Sequence, residues 1–270
     1  MPSFIHPESD LETALEALGK ADARFIALLA EAGRPPLRRR SDGFAGLAAI
    51  IVAQQLSTAS ANAIWGRLAA AFDPLDATAI LRARPAKLAR LGLSAPKIRA
   101  LKAIAKAVER EELALSRLAA LAAEDAHAAL TAVHGIGPWT ADIYLLSCLG
   151  HADAWPAGDL ALQEAARVAF ALPVRPNAKD MQTLAEPWRP WRAVAARILW
   201  SYYRAAADAA KAAAAAAKAA KPAAKAAKPA RGVKRPRAAA PRVAKRTKPR
   251  AAAGRHRRKT PSGRGPARRH

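Results

Sequence analysis

One cysteine in 270 residues, Cys148, cannot close an internal disulfide, nor can it supply the four thiolates of a cysteine-ligated iron–sulfur cluster. Aromatic residues make up only 5% of the chain, and no apolar run approaches the length of a bilayer span. The N-terminal stretch lacks the layout of a signal peptide, so the chain is expected to be intracellular, with no membrane partner. The six histidines offer no close ligand spacing, His127 and His134 standing seven apart across an expected helix end, which argues against a structural zinc. Acids are missing altogether from positions 211–270, which hold 21 Lys and Arg.

What is there in abundance is positive charge, +24 in net, and it is unevenly spread. Residues 1–210 hold 24 bases against all 21 acids, so the body is nearly neutral at +3. That body has enough apolar sequence for one extended core or two lobes. The Ala, Lys, Arg and Pro beyond it have almost nothing to bury and read as a disordered basic tail, assigned to 205–270. Its start, Lys211 to Lys221, can prolong the preceding helix until Pro222, Pro229, Pro236 and Pro241 forbid a continuous one. Each base laid on a phosphate releases a counterion, so bulk nucleic acid is the partner expected for the tail.

Apolar residues in the body recur at helical spacing, and no segment sustains a period of two, which predicts an all-α fold. Helices are expected over 10–31, 44–54, 57–72, 94–110, 124–132, 139–149, 160–170 and 189–204. Gly33-Arg34-Pro35-Pro36, Phe72-Asp73-Pro74 and Leu172-Pro173 read as breaks. Arg38, Arg39 and Arg40 form a charge run before the second helix, able to touch nucleic acid or merely to be solvated. Lys97 and Lys102 are expected on exposed helix faces.

The most informative stretch runs from Leu130 to Asp142, where one amphipathic helix ends and another begins across His134-Gly135-Ile136-Gly137-Pro138. Gly135 and Gly137 permit a tight turn and let a ligand approach the main chain, while Ile136 anchors the turn in the core. The free N–H groups of the following helix suit a phosphate, although a plain helix-to-helix corner would use the same residues.

The segment Val133-His134-Gly135-Ile136-Gly137-Pro138-Trp139-Thr140-Ala141 resembles the hairpin of the helix-hairpin-helix (HhH-GPD) DNA glycosylase superfamily. Trp155-Pro156-Ala157-Gly158-Asp159-Leu160 follows it as that superfamily's aspartate-bearing loop does, and Ile50 to Ser57 and Leu91 to Lys97 match upstream segments. The similarity spans roughly 40–204 and is nearest to bacterial DNA-3-methyladenine glycosylase II without its N-terminal β-rich domain. It implies a two-lobed fold with the active site between the lobes. Residues 1–40 would pack as a helical segment on a glycosylase domain at 41–204. The activity implied is monofunctional excision of alkylated purines of the 3-methyladenine and 7-methylguanine type from double-stranded DNA. A monomeric, cytoplasmic, nucleoid-associated bacterial protein is expected.

The resemblance also implies roles for single residues. Asp159 would stabilise positive charge on the sugar and orient water, in addition to or instead of capping the helix from Leu160. Gly135, Gly137 and Thr140 would meet a DNA phosphate. Trp139 and Tyr144 would line the base pocket, the tyrosine having a core position as its alternative, and Gln55 or Leu56 would fill the gap left by a flipped nucleotide. Trp139 stands where the lyase branches carry a nucleophilic lysine, which implies hydrolysis without strand cleavage. No cofactor is required and no iron–sulfur cluster is expected. Main-chain carbonyls of Thr131, Val133 and Ile136 would hold Na+ or K+, with His134 replacing a frequent proline. The alternatives are a non-catalytic helix-hairpin-helix module and a histone-like DNA-binding protein, neither of which needs Asp159 as a catalyst.

Overall fold

The structure, a computed structural model, describes residues 4–5 and 8–220. The described chain is helical throughout, with a single isolated bridge between Phe4 and His151. Its elements are α1 (Glu8–Ala21), α2 (Arg24–Ala32), α3 (Gly43–Ala53), α4 (Thr58–Ala71), α5 (Ala77–Arg82), α6 (Pro85–Arg90) and α7 (Ala95–Glu109). There follow α8 (Ala123–Thr131), α9 (Pro138–Tyr144), which runs into a π-helical turn at Leu145–Leu149, then α10 (Leu160–Ala169), α11 (Ala178–Ala185) and α12 (Arg192–Ala220).

Two groups of helices share this core. In the first, α3 is apolar on nearly every face, with seven of its 11 residues buried, and packs on α4, α7 and α9. In the second, α12 packs on α10 and α2, so the N-terminal helices close onto the C-terminal ones. Trp188 is the hub of that closure, lying edge-on to Phe25 at 5.0 Å and to Trp155 at 5.5 Å. The junction between the groups is crossed by the loop from Trp155 to Asp159.

The helix expected over 10–31 is two helices. The Asp22 carboxylate accepts the backbone N–H of Arg24 at 3.1 Å, its guanidinium, and the indole N–H of Trp188 at 3.1 Å, which turns the chain at 22–23. Three short helices escape the periodicity reading because six to eight residues give too few turns to show a stripe. Each begins on a helix-start device: Asp76 accepts Ala79 N–H at 2.7 Å, Pro85 opens α6, and Asn177 with Asp180 makes a capping box. Residues 205–220, grouped with the tail by composition, continue α12, as their Ala and Lys content favours. The remainder of the expected disordered tail lies outside the described residues.

Candidate active site

The hairpin connects α8 to α9 as a tight turn whose two glycines do different work. Gly135 sits at φ +97°, and a Cβ there would stand 2.9 Å from the Cβ of Ala100, so both backbone and packing demand glycine. Gly137 has an ordinary φ of −86° and opens onto free space, with nothing within 4 Å of an added Cβ. Ile136 is buried and pins the turn to the core. Among the hairpin carbonyls, that of Val133 accepts Ile136 N–H at 3.1 Å, whereas those of Thr131 and Ile136 accept no backbone N–H from a described residue. An all-oxygen donor set with lone pairs to spare fits a hard monovalent cation.

Asp159 stands at the start of α10 with its carboxylate held by three donors. Oδ1 accepts the Leu162 backbone N–H at 2.7 Å and the Trp200 indole N–H at 3.2 Å, while Oδ2 accepts the Trp139 indole N–H at 2.7 Å. The first is an N-cap; the other two come from α12 and α9, one from each group of helices. The loop behind it is rigid, because Trp155 is buried and donates to Met181 O at 3.0 Å while Gln163 Nε2 donates to Ala157 O at 2.9 Å. A carboxylate has about four acceptor positions, so three donors fix its plane and leave capacity for one more partner. Trp139 and Trp200 are both half-buried, so each indole also retains some accessible surface beside the carboxylate.

Gln55 and Leu56 are exposed at the turn between α3 and α4, Gln55 in the left-handed region at φ +55°. The turn is anchored from two sides. Gln54 Nε2 donates to Thr140 Oγ1 at 2.8 Å, and Lys97 Nζ donates to the carbonyls of Val52 at 2.7 Å and Gln54 at 2.8 Å. Thr140 is adjacent to Trp139, so the turn and the Asp159 cradle are braced against the same helix.

Thr140 is 2% exposed and its hydroxyl accepts from Gln54, which leaves its main chain as the part able to meet a phosphate. Three expectations need correction. Tyr144 is fully buried and its hydroxyl accepts Gly43 N–H at 3.0 Å, which makes it a core residue that lines no base pocket. Lys97 and Lys102 are half-buried rather than exposed: Lys97 closes the end of α3, and Lys102 donates to Leu81 O at 2.7 Å and Ala83 O at 2.5 Å at the end of α5. Burial lowers both amines below the usual lysine range. Trp200, in contrast, was missed, because its helix carries aromatics at several positions and only the tertiary fold turns this one toward Asp159.

Comparison with known proteins gives the arrangement a lineage. Residues 48–190 match the family described as HhH-GPD superfamily base excision DNA repair protein. The probable bifunctional transcriptional activator/DNA repair enzyme AlkA of Mycobacterium tuberculosis is 33% identical over 204 residues, covering 72% of this chain. The match covers 40% of that relative's own length. Among solved structures, the 3-methyladenine DNA glycosylase of Schizosaccharomyces pombe in complex with abasic DNA is 28% identical with a TM-score of 0.64, over 70% of this chain and 95% of that one. The DNA-3-methyladenine glycosidase of Bacillus halodurans gives 27% and 0.63, over 72% and 91%. With a family match across more than half its length and Asp159 set at the junction of its two helical groups, this chain belongs to the HhH-GPD superfamily of base excision DNA repair proteins.

Proposed function

We propose that the protein is a monofunctional DNA glycosylase that hydrolyses the N-glycosidic bond of alkylated purines in double-stranded DNA. The observation that carries this reading is the Asp159 carboxylate, oriented by indoles from two sides and by its own helix cap. As the bond from C1′ to the purine nitrogen breaks, its electron pair leaves with the base and positive charge builds on the sugar. A fixed carboxylate stabilises that charge, and water adds to C1′ as its proton passes to Asp159. Alkylation at N3 or N7 already makes the purine a good leaving group, so one carboxylate without a general acid suffices. An electron-rich indole suits a cationic base through its π-face.

Hydrolysis without strand cleavage is supported by the absence of an amine nucleophile at position 139, and by the commitment of Lys97 and Lys102 to backbone carbonyls. The open approach to Gly137 supports main-chain contact with a DNA phosphate, and the Thr131, Val133 and Ile136 carbonyls would hold a monovalent cation there. Gln55 and Leu56 are exposed where a flipped nucleotide would leave a gap. The basic residues beyond α12 would retain the protein on bulk DNA.

The test is single-turnover base release from duplexes carrying a 3-methyladenine analogue, 7-methylguanine, hypoxanthine, uracil or 8-oxoguanine. Alkylpurine release that leaves an intact abasic strand is the expected result. Borohydride-trapped adducts would overturn the monofunctional assignment, and no release from any duplex would favour a binding module.

A further inference from the structure

A cavity of about 200 Å³ lies between the loop 33–42, the π-helical turn and α12. Its lining includes the apolar Ile143 and Leu146 and also Trp200, whose indole N–H holds Asp159. It is otherwise cationic: Arg38, Arg40, Arg197 and Arg204 line it among polar and apolar neighbours, and no carboxylate of a described residue does. These four arginines outnumber the entire +3 excess of residues 1–210, so folding has gathered at one place a charge that the body's composition does not display.

The four are not equivalent. Arg197 is 6% exposed and donates to the carbonyls of Leu37 and, at 3.0 Å, Leu146, which fixes a buried charge behind the cavity. Burial, with Arg39 and Arg38 nearby, pushes its pKa down to about 10. Among the described residues Arg204 donates only to Ser201, at 3.2 Å, and burial together with Arg38 lowers its pKa too, against the pull of Asp208. Arg38 and Arg40 are exposed, and their guanidiniums make no hydrogen bond or ion pair to a described residue. Arg38 is held at φ +45°, a left-handed backbone conformation that a non-glycine residue rarely adopts and that persists only where the surroundings impose it. The loop is pinned beside it by Arg40 N–H to Ser147 O at 2.9 Å.

Guanidiniums converging without a counter-charge repel one another and exclude a cationic base, whereas an anion would relieve the repulsion. Phosphate oxygens match the guanidinium fork. Trp200 lines this cavity and donates to Asp159, which sets the cavity beside the carboxylate that would face the sugar of a bound strand. We propose that Arg38, Arg40 and Arg204 form a second phosphate site, separate from the hairpin, that grips the damaged strand beside the extruded nucleotide. The proposal rests on the glycosylase reading of Asp159.

The experiment measures binding and single-turnover excision with duplexes in which single phosphates flanking the lesion are replaced by neutral methylphosphonates. Wild type is compared with Arg40→Gln/Arg204→Gln and with Arg40→Lys/Arg204→Lys, all checked for equal melting temperature. In wild type one flanking replacement should weaken binding; in the double Gln variant it should add nothing. That variant should also lose about two units from the slope of log K against log salt, and the Lys variant should recover the slope. Inhibition by pyrophosphate that vanishes in the Gln variant, without a methylphosphonate effect, would assign the same site to a free phosphate. Equal methylphosphonate losses in wild type and Gln variant, with no difference toward pyrophosphate, would overturn the site. A wild type that binds as described but releases no base would instead strike the glycosylase reading.

Discussion

Two carboxylates on neighbouring elements, Asp159 and Asp142, show how placement divides one chemistry into two behaviours. Asp159 is bonded by three N–H donors at a half-exposed junction. Asparagine at 159 keeps the cap but sets an NH2 group against an N–H donor, so Asp159→Asn should lower excision about a hundredfold or more while the protein still folds. Trp200→Phe keeps an aromatic wall and removes one hydrogen bond to the carboxylate, which should cost about ten- to a hundredfold in single-turnover rate. Asp142 lies the other way, 3.5 Å from His127 Nε2, and burial raises its pKa to about 7 against the pull of Arg192. Its folded pKa exceeds the unfolded 3.8, so the folded state binds more protons between those values. The resulting stability is complete below pH ~4 and is lost as pH rises to ~7. Asp142→Asn should flatten that slope and raise the melting temperature at pH 8 relative to wild type, which thermal melts across pH 4–8 would check. Asp159 was legible because it follows Gly158 in a loop of recognisable make-up; Trp200 was not, because no sequence rule says which aromatic of a buried helix will turn toward a distant carboxylate.

At the scale of the element, the two glycines of the hairpin answer to different constraints, packing at Gly135 and open space at Gly137. Gly135→Ala meets both a positive φ and Ala100, and should destabilise by about 1–3 kcal/mol. Gly137→Ala meets neither, and should leave the melting temperature within a degree or two while weakening DNA affinity, since its Cβ would stand on the open side. Denaturant melts paired with binding isotherms distinguish the two. Gln54→Ala would leave the Thr140 hydroxyl buried without its partner and release the turn at Gln55 and Leu56, so the loss in excision should exceed the loss in stability. The long amphipathic helices were legible from their stripes. The break at 22–23 was not, because the bond from Trp188 to Asp22 that helps impose it spans 166 positions. Lys97 and Lys102 misled for a related reason: a lysine on a polar helix face reads as solvated until another helix ends against it.

For the whole molecule, charge follows two separate plans. The body is close to neutral and gathers arginines around the cavity beside Trp200, whereas the stretch after Asp208 is basic without exception. Truncation after Ala220 should therefore make the salt dependence of DNA binding shallower and leave single-turnover excision at saturating protein unchanged, as measured by binding at stepped ionic strength. The all-helical class and the order of the major helices were readable from one sequence because they depend on local periodicity. The closure of the N-terminal helices onto α12 depends on Trp188 finding Phe25, and local periodicity carries no trace of that. Asp159 is also the rivet of this architecture, joining an indole from each helical group to the cap of α10. If Asp159 also serves excision as proposed, inheritance acts on the two duties together: a descendant that had given up excision would still be under pressure to keep an aspartate here.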